Sequence, residues 1–176
     1  MKLDRVPLAL TLLMLVVIGF AAFVPEIPGV YGSPHPDFPG MLRGGPGPER
    51  HDGILWIGWL FGLLQIALFV TLMIIGARRG GRPSGATVPL VFCGAIQAAV
   101  WTSIVLTYRG AMQDGAGAFI LAFPIPSAIL LYVLWPLMGL FTLCFVVGFR
   151  RWVLSDEDLA AFERLVAARA RRENGD

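Results

Sequence analysis

Histidine is scarce in this sequence, and charge is absent from the interior of its long apolar runs. The only two histidines, His35 and His51, lie outside those runs. A haem b held between membrane helices needs axial ligands such as histidine on the helices themselves. A proton relay normally uses carboxylates or histidines within the membrane. We therefore expect neither a cytochrome b nor a proton pump, and no cofactor.

Cysteine and lysine are also rare. Cys93 and Cys144 both fall within apolar runs and form no C-x-x-C pair, so they carry no zinc or redox signature. Of the 14 basic residues only Lys2 is a lysine, a bias typical of a GC-rich bacterial genome. The net charge of +2 comes with no basic patch, which argues against nucleic acid as a partner. No serine has the sequence context of a hydrolase nucleophile, so an enzyme is not the favoured interpretation.

Hydrophobic residues, in contrast, make up 56% of the chain and charged residues 15%. This balance lies outside the soluble range and predicts an all-α integral membrane protein. About 20 apolar residues cross a hydrocarbon core of about 30 Å. Four runs are long enough, and we predict a four-transmembrane-helix bundle with spans at about 6–24, 53–77, 87–108 and 127–149. The membrane domain is predicted to cover residues 1–154, and a tail residues 155–176.

Two of these runs allow a second interpretation. The first, 6–24, resembles a secretory signal peptide, but it is longer than a usual h-region and lacks a small-x-small cleavage site, so a retained span is favoured. The last run is divided by Pro124 and Pro126. We predict an interfacial or partly re-entrant lead-in over Ala118–Pro126, and a kink in the fourth span near Pro136, which lacks a backbone N–H donor.

The segment 25–52 holds seven prolines and six glycines, a density that predicts an extended outer loop without helix or paired strands. Proline lowers the conformational entropy of the free loop, so docking against a partner surface costs less. Aromatic and proline side chains are the candidate docking residues of this loop: Tyr31, Pro34, Phe38 and Pro39.

The tail reads as a short cytoplasmic amphipathic helix, with acids in its first turn and arginines in its last. Its apolar stripe supplies further candidate docking residues, Leu159, Phe162 and Val166, for the membrane surface or for a partner. A solvated helical tail is the alternative.

The distribution of basic residues predicts the orientation, because cytoplasmic segments carry an excess of lysine and arginine. With both termini inside, the basic residues on the cytoplasmic side are Lys2, Arg5, Arg78, Arg79, Arg82, Arg150, Arg151, Arg164, Arg169, Arg171 and Arg172. The outer side then holds only Arg43, Arg50 and Arg109. We predict a bacterial inner (plasma) membrane protein with both termini in the cytoplasm.

Small and polar residues within the spans predict helix packing. Gly58 and Gly62 form a G-x-x-x-G motif whose face continues to Gln65. Gln65 and Gln97 fall at similar depth on sequential spans, so their amides are predicted to hydrogen-bond to each other. A polar lining for a substrate path is the alternative.

Four residues at the outer side are weak candidate metal ligands: His35, Asp37, His51 and Asp52. Their spacing does not match a closed zinc site, and a proline-rich loop holds three ligands poorly without outside support.

Three functions remain open at this point. The first is a non-catalytic accessory or assembly subunit of a larger inner-membrane complex, a transporter or a respiratory assembly, that docks through its outer loop and helix faces. The second is a small homo-oligomeric transporter or channel whose path is lined by Gln65 and Gln97. The third is a membrane enzyme with a metal site in the outer loop. The expected partners are the lipid bilayer and other membrane subunits or a second copy.

Overall fold

The structure is a computed structural model that describes residues 5–25, 33–43, 47–78, 85–114, 118–154 and 156–173. Helices dominate it, which confirms the all-α prediction. In chain order they are α1 (Val6–Ala22), α2 (Gly47–Gly76), α3 (Thr87–Asp114), α4 (Ile125–Ile129), α5 (Trp135–Trp152) and α6 (Asp156–Glu173). A π-helical segment, Leu130–Leu134, joins α4 to α5.

Three stretches are long and apolar enough to cross a bilayer, and they indicate a multi-pass membrane protein. They are His51–Gly76, Thr87–Gln113 and Ile125–Arg150. Helix α1 is apolar but has 17 residues. At about 1.5 Å per residue it is roughly 26 Å long, against a hydrocarbon core of about 30 Å. The fourth crossing therefore stays a prediction.

Helix α3 is the centre of the bundle. Of the 18 residues in its apolar stretch, 33% are buried within the protein, compared with 11% for α2 and 6% for α4–α5. Helix α2 and the α4–α5 helix both pack against it, while α1 packs against α2. The main buried cluster lies where α2, α3 and α5 meet: Val70, Ala77, Ala86, Leu90, Cys93 and Phe141.

The prediction of a 25–52 loop without helix or paired strands was wrong at two places. Helix α2 already begins at Gly47, because Pro48 falls in its first turn, where the missing N–H costs no helical hydrogen bond. Strands β1 (Ser33–Pro34) and β2 (Leu42–Arg43) pair antiparallel. A strand at an edge tolerates proline, and Gly40 supplies the positive φ of +90° in the connecting turn.

Helix α3 also exceeds its prediction, ending at Asp114 and not at Tyr108. The segment 118–126, predicted as an interfacial or partly re-entrant lead-in, contains a hairpin of β3 (Phe119–Ile120) and β4 (Phe123–Pro124), and its depth in the membrane stays a prediction. Its two turn residues, Leu121 and Ala122, have φ of 48° and 67°. Two-residue hairpins require such angles, which asparagine and glycine adopt more readily, so this turn carries local strain of about 1–3 kcal/mol per residue.

The fourth apolar run begins as helix at Ile125, two residues before the predicted Ser127, with Pro126 in its first turn. A π-helical segment that ends at Leu134 lies just before Pro136, where the sequence predicted a kink, and the kink itself stays a prediction. A π turn accommodates the missing donor and the bulk of a proline ring without ending the helix.

Candidate functional site

Three side-chain hydrogen bonds link or brace the middle of α2 and the middle of α3. Trp59 Nε1 donates to Thr102 Oγ1 over 3.0 Å, and Trp101 Nε1 donates to the Trp59 carbonyl over 3.1 Å. Thr102 Oγ1 in turn donates to the Ala98 carbonyl over 2.8 Å. Hydrocarbon offers no water to these groups, so such internal partners hold the two helices in one register.

The two glycines of the G-x-x-x-G motif have different surroundings. The indole ring of Trp101 lies directly on Gly62, so that a Cβ at this position would overlap it. A Cβ at Gly58 would meet no atom within 4 Å, because Gly58 borders a cavity of about 310 Å³ between α1 and α2. Close helix packing in the described structure therefore depends on Gly62 and not on Gly58.

Aromatic and charged side chains continue this contact toward the start of α2 and the end of α3. The guanidinium carbon of Arg109 lies 5.3 Å from the centre of the Trp56 ring, and His51 meets Tyr108 edge to face at 5.9 Å. Arg109 lies within α3 and not in a loop. Its contact with Trp56 ties the first residue beyond the predicted apolar run to α2.

Gln65 and Gln97 do come close to each other, but their amides do not pair. Gln97 is 7% exposed, its Nε2 donates to the Met138 sulfur, and its Oε1 has no hydrogen-bond partner. Gln65 is exposed, and both residues line one cavity of about 320 Å³. The predicted amide–amide hydrogen bond is therefore wrong for this structure, because Gln97 Nε2 donates to Met138 and Gln97 Oε1 accepts from no group.

The two cysteines meet, although their spacing carried no signal. Cys93 Sγ on α3 lies 3.5 Å from Cys144 Sγ on α5, and both thiols are free. Depth could have revealed the pair, since Cys93 lies about 9 Å from the start of α3 and Cys144 about 12 Å from the end of α5, on the same side of the membrane.

The weak metal candidates do not converge. His35 Nδ1 accepts a hydrogen bond from the backbone N–H of Asp37 over 3.1 Å in the turn of the β1–β2 hairpin, while His51 lies on α2 against Tyr108. Asp52 is exposed on α2. Among the residues that the structure describes, no group of three His, Cys, Asp or Glu side chains is arranged to hold a metal.

The predicted docking residues lie on two exposed surfaces. The β1–β2 hairpin carries Phe38, Met41 and Leu42 at 57–61% exposure, next to the exposed Pro34 and Pro39. Tyr31 lies outside the described residues. On α6 the apolar stripe is exposed as well: Leu159, Phe162, Leu165 and Val166.

Comparison with protein-family models, with curated proteins and with solved structures finds no match to this chain. The proposal for its function therefore rests on the sequence and structure of this chain.

Proposed function

We propose that the chain is a non-catalytic accessory or assembly subunit of a larger membrane complex. The observation that supports this most is the β1–β2 hairpin, called the outer hairpin because the proposed topology places it outside. Three adjoining apolar side chains, Phe38, Met41 and Leu42, are more than half exposed on a segment outside the apolar spans. The His35 ring lies 5.0 Å from the Phe38 ring, and the backbone N–H of His35 donates to the Met41 carbonyl over 2.9 Å.

An ordered hairpin of this kind suits a partner protein. Apolar side chains in water carry a cost that docking removes, and a turn already closed by its own hydrogen bonds loses little entropy on binding. The exposed stripe of α6 supplies a second docking surface on the other side of the membrane, for lipid headgroups or for the same partner. The long apolar helices offer packing faces to further membrane subunits.

The proposed topology has four spans in a bacterial inner membrane, with α1 as the retained first span. Val17 of α1 is buried against α2 at 6% exposure, and the Val24 side chain lies 3.4 Å from where a Cβ on Gly53 would stand. Packing of this kind supports a helix that stays with the bundle. The excess of arginine on one side supports cytoplasmic termini.

Cysteine labelling tests this topology in a Cys93→Ala, Cys144→Ala background. An impermeant maleimide added to intact spheroplasts is expected to label Met41→Cys. It is expected to label Arg5→Cys and Ala167→Cys only after permeabilisation. Labelling of Arg5→Cys from outside would show that α1 does not cross, and labelling of Ala167→Cys would reverse the orientation.

The docking role predicts loss of the complex on replacement of Phe38, Met41 and Leu42 together by serine. Interface anchors of this type contribute about 1–2 kcal/mol or more each, so the affinity should fall by more than about 100-fold. The measurement is gentle-detergent purification followed by quantitative mass spectrometry of stoichiometric subunits. The control changes the polar residues of the same hairpin, Asp37→Ser with Arg43→Ser.

The control is expected to retain the foreign subunits in full yield. Equal recovery with the triple variant would show that the hairpin is a passive connector. A pure homo-oligomer from the unaltered chain would contradict the accessory role and favour the transporter alternative.

A further inference from the structure

A cavity opens between α2, α3 and α5 in the middle of the bundle. It has a volume of about 320 Å³ and is lined by Gln65, Ile66, Phe69, Gln97 and Met138. At about 1.5 Å per residue, Gln65 lies roughly 21 Å from His51 along a stretch about 39 Å long. Gln97 and Met138 lie similarly far from the ends of their own apolar stretches. The cavity is therefore at the depth of the bilayer midplane.

One wall of this cavity holds an unsatisfied hydrogen-bond acceptor. Gln97 is 7% exposed, and its Oε1 has no partner. A buried polar atom without a partner is destabilising, and more so where water is excluded. In the structure Oε1 is shielded from solvent, while Nε2 donates to the sulfur of Met138, which lines the cavity. Because χ3 of glutamine is a broad torsion, rotation about it exchanges the two amide atoms and places the oxygen at this wall in place of that hydrogen bond.

The other walls are apolar. Ile66 and Phe69 come from α2 and Met138 from α5, and Gln65, Phe69 and Met138 are exposed where the cavity opens. A thioether and an aromatic ring both make favourable contacts with an aromatic guest. The cavity thus combines one acceptor with a lining that favours a flat ring.

We propose that this cavity binds a lipophilic aromatic molecule that carries a hydroxyl donor, of the hydroquinone class, which enters sideways from the bilayer. The hydroxyl donates to Gln97 Oε1 after rotation of the amide, and the ring lies between Phe69 and Met138. A phospholipid does not supply this group, because its polar head stays at the interface. Water alone fits poorly, because a buried water needs two to four polar partners and most of this lining is apolar. The proposal is independent of the accessory role.

The test uses the full-length protein in lipid nanodiscs with a photoreactive decylhydroquinone under anaerobic conditions. Peptides that react with the probe are identified by mass spectrometry. We expect saturable labelling of residues on α2 and α5 that border the cavity, with unlabelled decylhydroquinone as competitor. The dimethyl ether of decylhydroquinone lacks the donor and should compete roughly ten-fold less well.

The protein is varied in the same assay. Gln97→Leu removes the acceptor and should weaken labelling by roughly ten-fold. Gln113→Leu makes the same chemical change at an exposed site near the end of α3 and should have no effect. Equal competition by the ether overturns the proposal without any variant. Unchanged labelling of Gln97→Leu, or labelling that does not saturate, overturns it too.

Discussion

Gly62→Ala is expected to destabilise the bundle, while Gly58→Ala is not. A methyl group on Gly62 would overlap the Trp101 ring, whose Nε1 is held by the Trp59 carbonyl. Overpacking of this kind costs about 1–3 kcal/mol, because the ring must move and loses its hydrogen bond. A bulkier residue such as valine should separate α2 from α3. The measurement is the unfolding free energy in mixed micelles, followed by tryptophan fluorescence.

Gly58→Ala is the matched control, since the same change is made one turn away on the same helix. No atom lies within 4 Å of its Cβ position. Alanine is the better helix former by about 0.5–1 kcal/mol, so this variant should be neutral or slightly more stable. Equal destabilisation by both substitutions would show that the motif faces a second copy or a partner and not Trp101.

Oxidation is expected to join α3 to α5 through Cys93 and Cys144 in nearly every molecule. Their sulfurs lie 3.5 Å apart, and a disulfide needs about 2.05 Å, which a small side-chain rotation provides. With iodine as a membrane-permeant oxidant, two thiols give up two protons and two electrons, one S–S bond forms, and iodine is reduced to iodide. Trypsin cuts after Arg109, the only basic residue between the two cysteines. The resulting peptides should therefore stay linked until reduced.

The matched control moves one thiol around the helix. Val91 lies two residues before Cys93, which is about 200° of rotation, and it is 50% exposed. The variant Cys93→Ala with Val91→Cys should give no link within the chain. If unaltered protein is linked only between two chains, the α3–α5 contact of this structure is wrong.

The sequence located most helices but not their ends. Apolar length alone located the helical stretches that became α1, α2, α3 and α5. The observed helix ends differ from the predicted ones for local reasons. Pro48 lies in the first turn of α2, inside the predicted loop, and Arg109, beyond the predicted end of α3, stacks on Trp56. The β3–β4 hairpin was missed because its turn, Leu121–Ala122, lacks the asparagine or glycine that normally marks such a turn.

The candidate site could be predicted only in terms of how deep each residue lies in the membrane, counted along its helix. Gln65 and Gln97 were predicted at similar depth and line one cavity, and the same count would have placed Cys93 near Cys144. Depth does not say which way a side chain points. The two cysteine sulfurs lie in contact, whereas the two glutamine amides form no hydrogen bond with each other. The contact of Trp101 with Gly62 could be recognised only from the three-dimensional structure.

The sequence by itself determined that this chain is helical and apolar enough to lie in a membrane, and that the interior of each predicted span holds no Asp, Glu, Lys, Arg or His. Only the tertiary structure decided that α3 is the central helix, that Gly62 and not Gly58 is the close contact, and that Gln97 borders a cavity. The physical reason is that a membrane helix is apolar all round. Its periodicity therefore does not distinguish a face toward lipid from a face toward protein, and the packing of neighbouring side chains settles the choice.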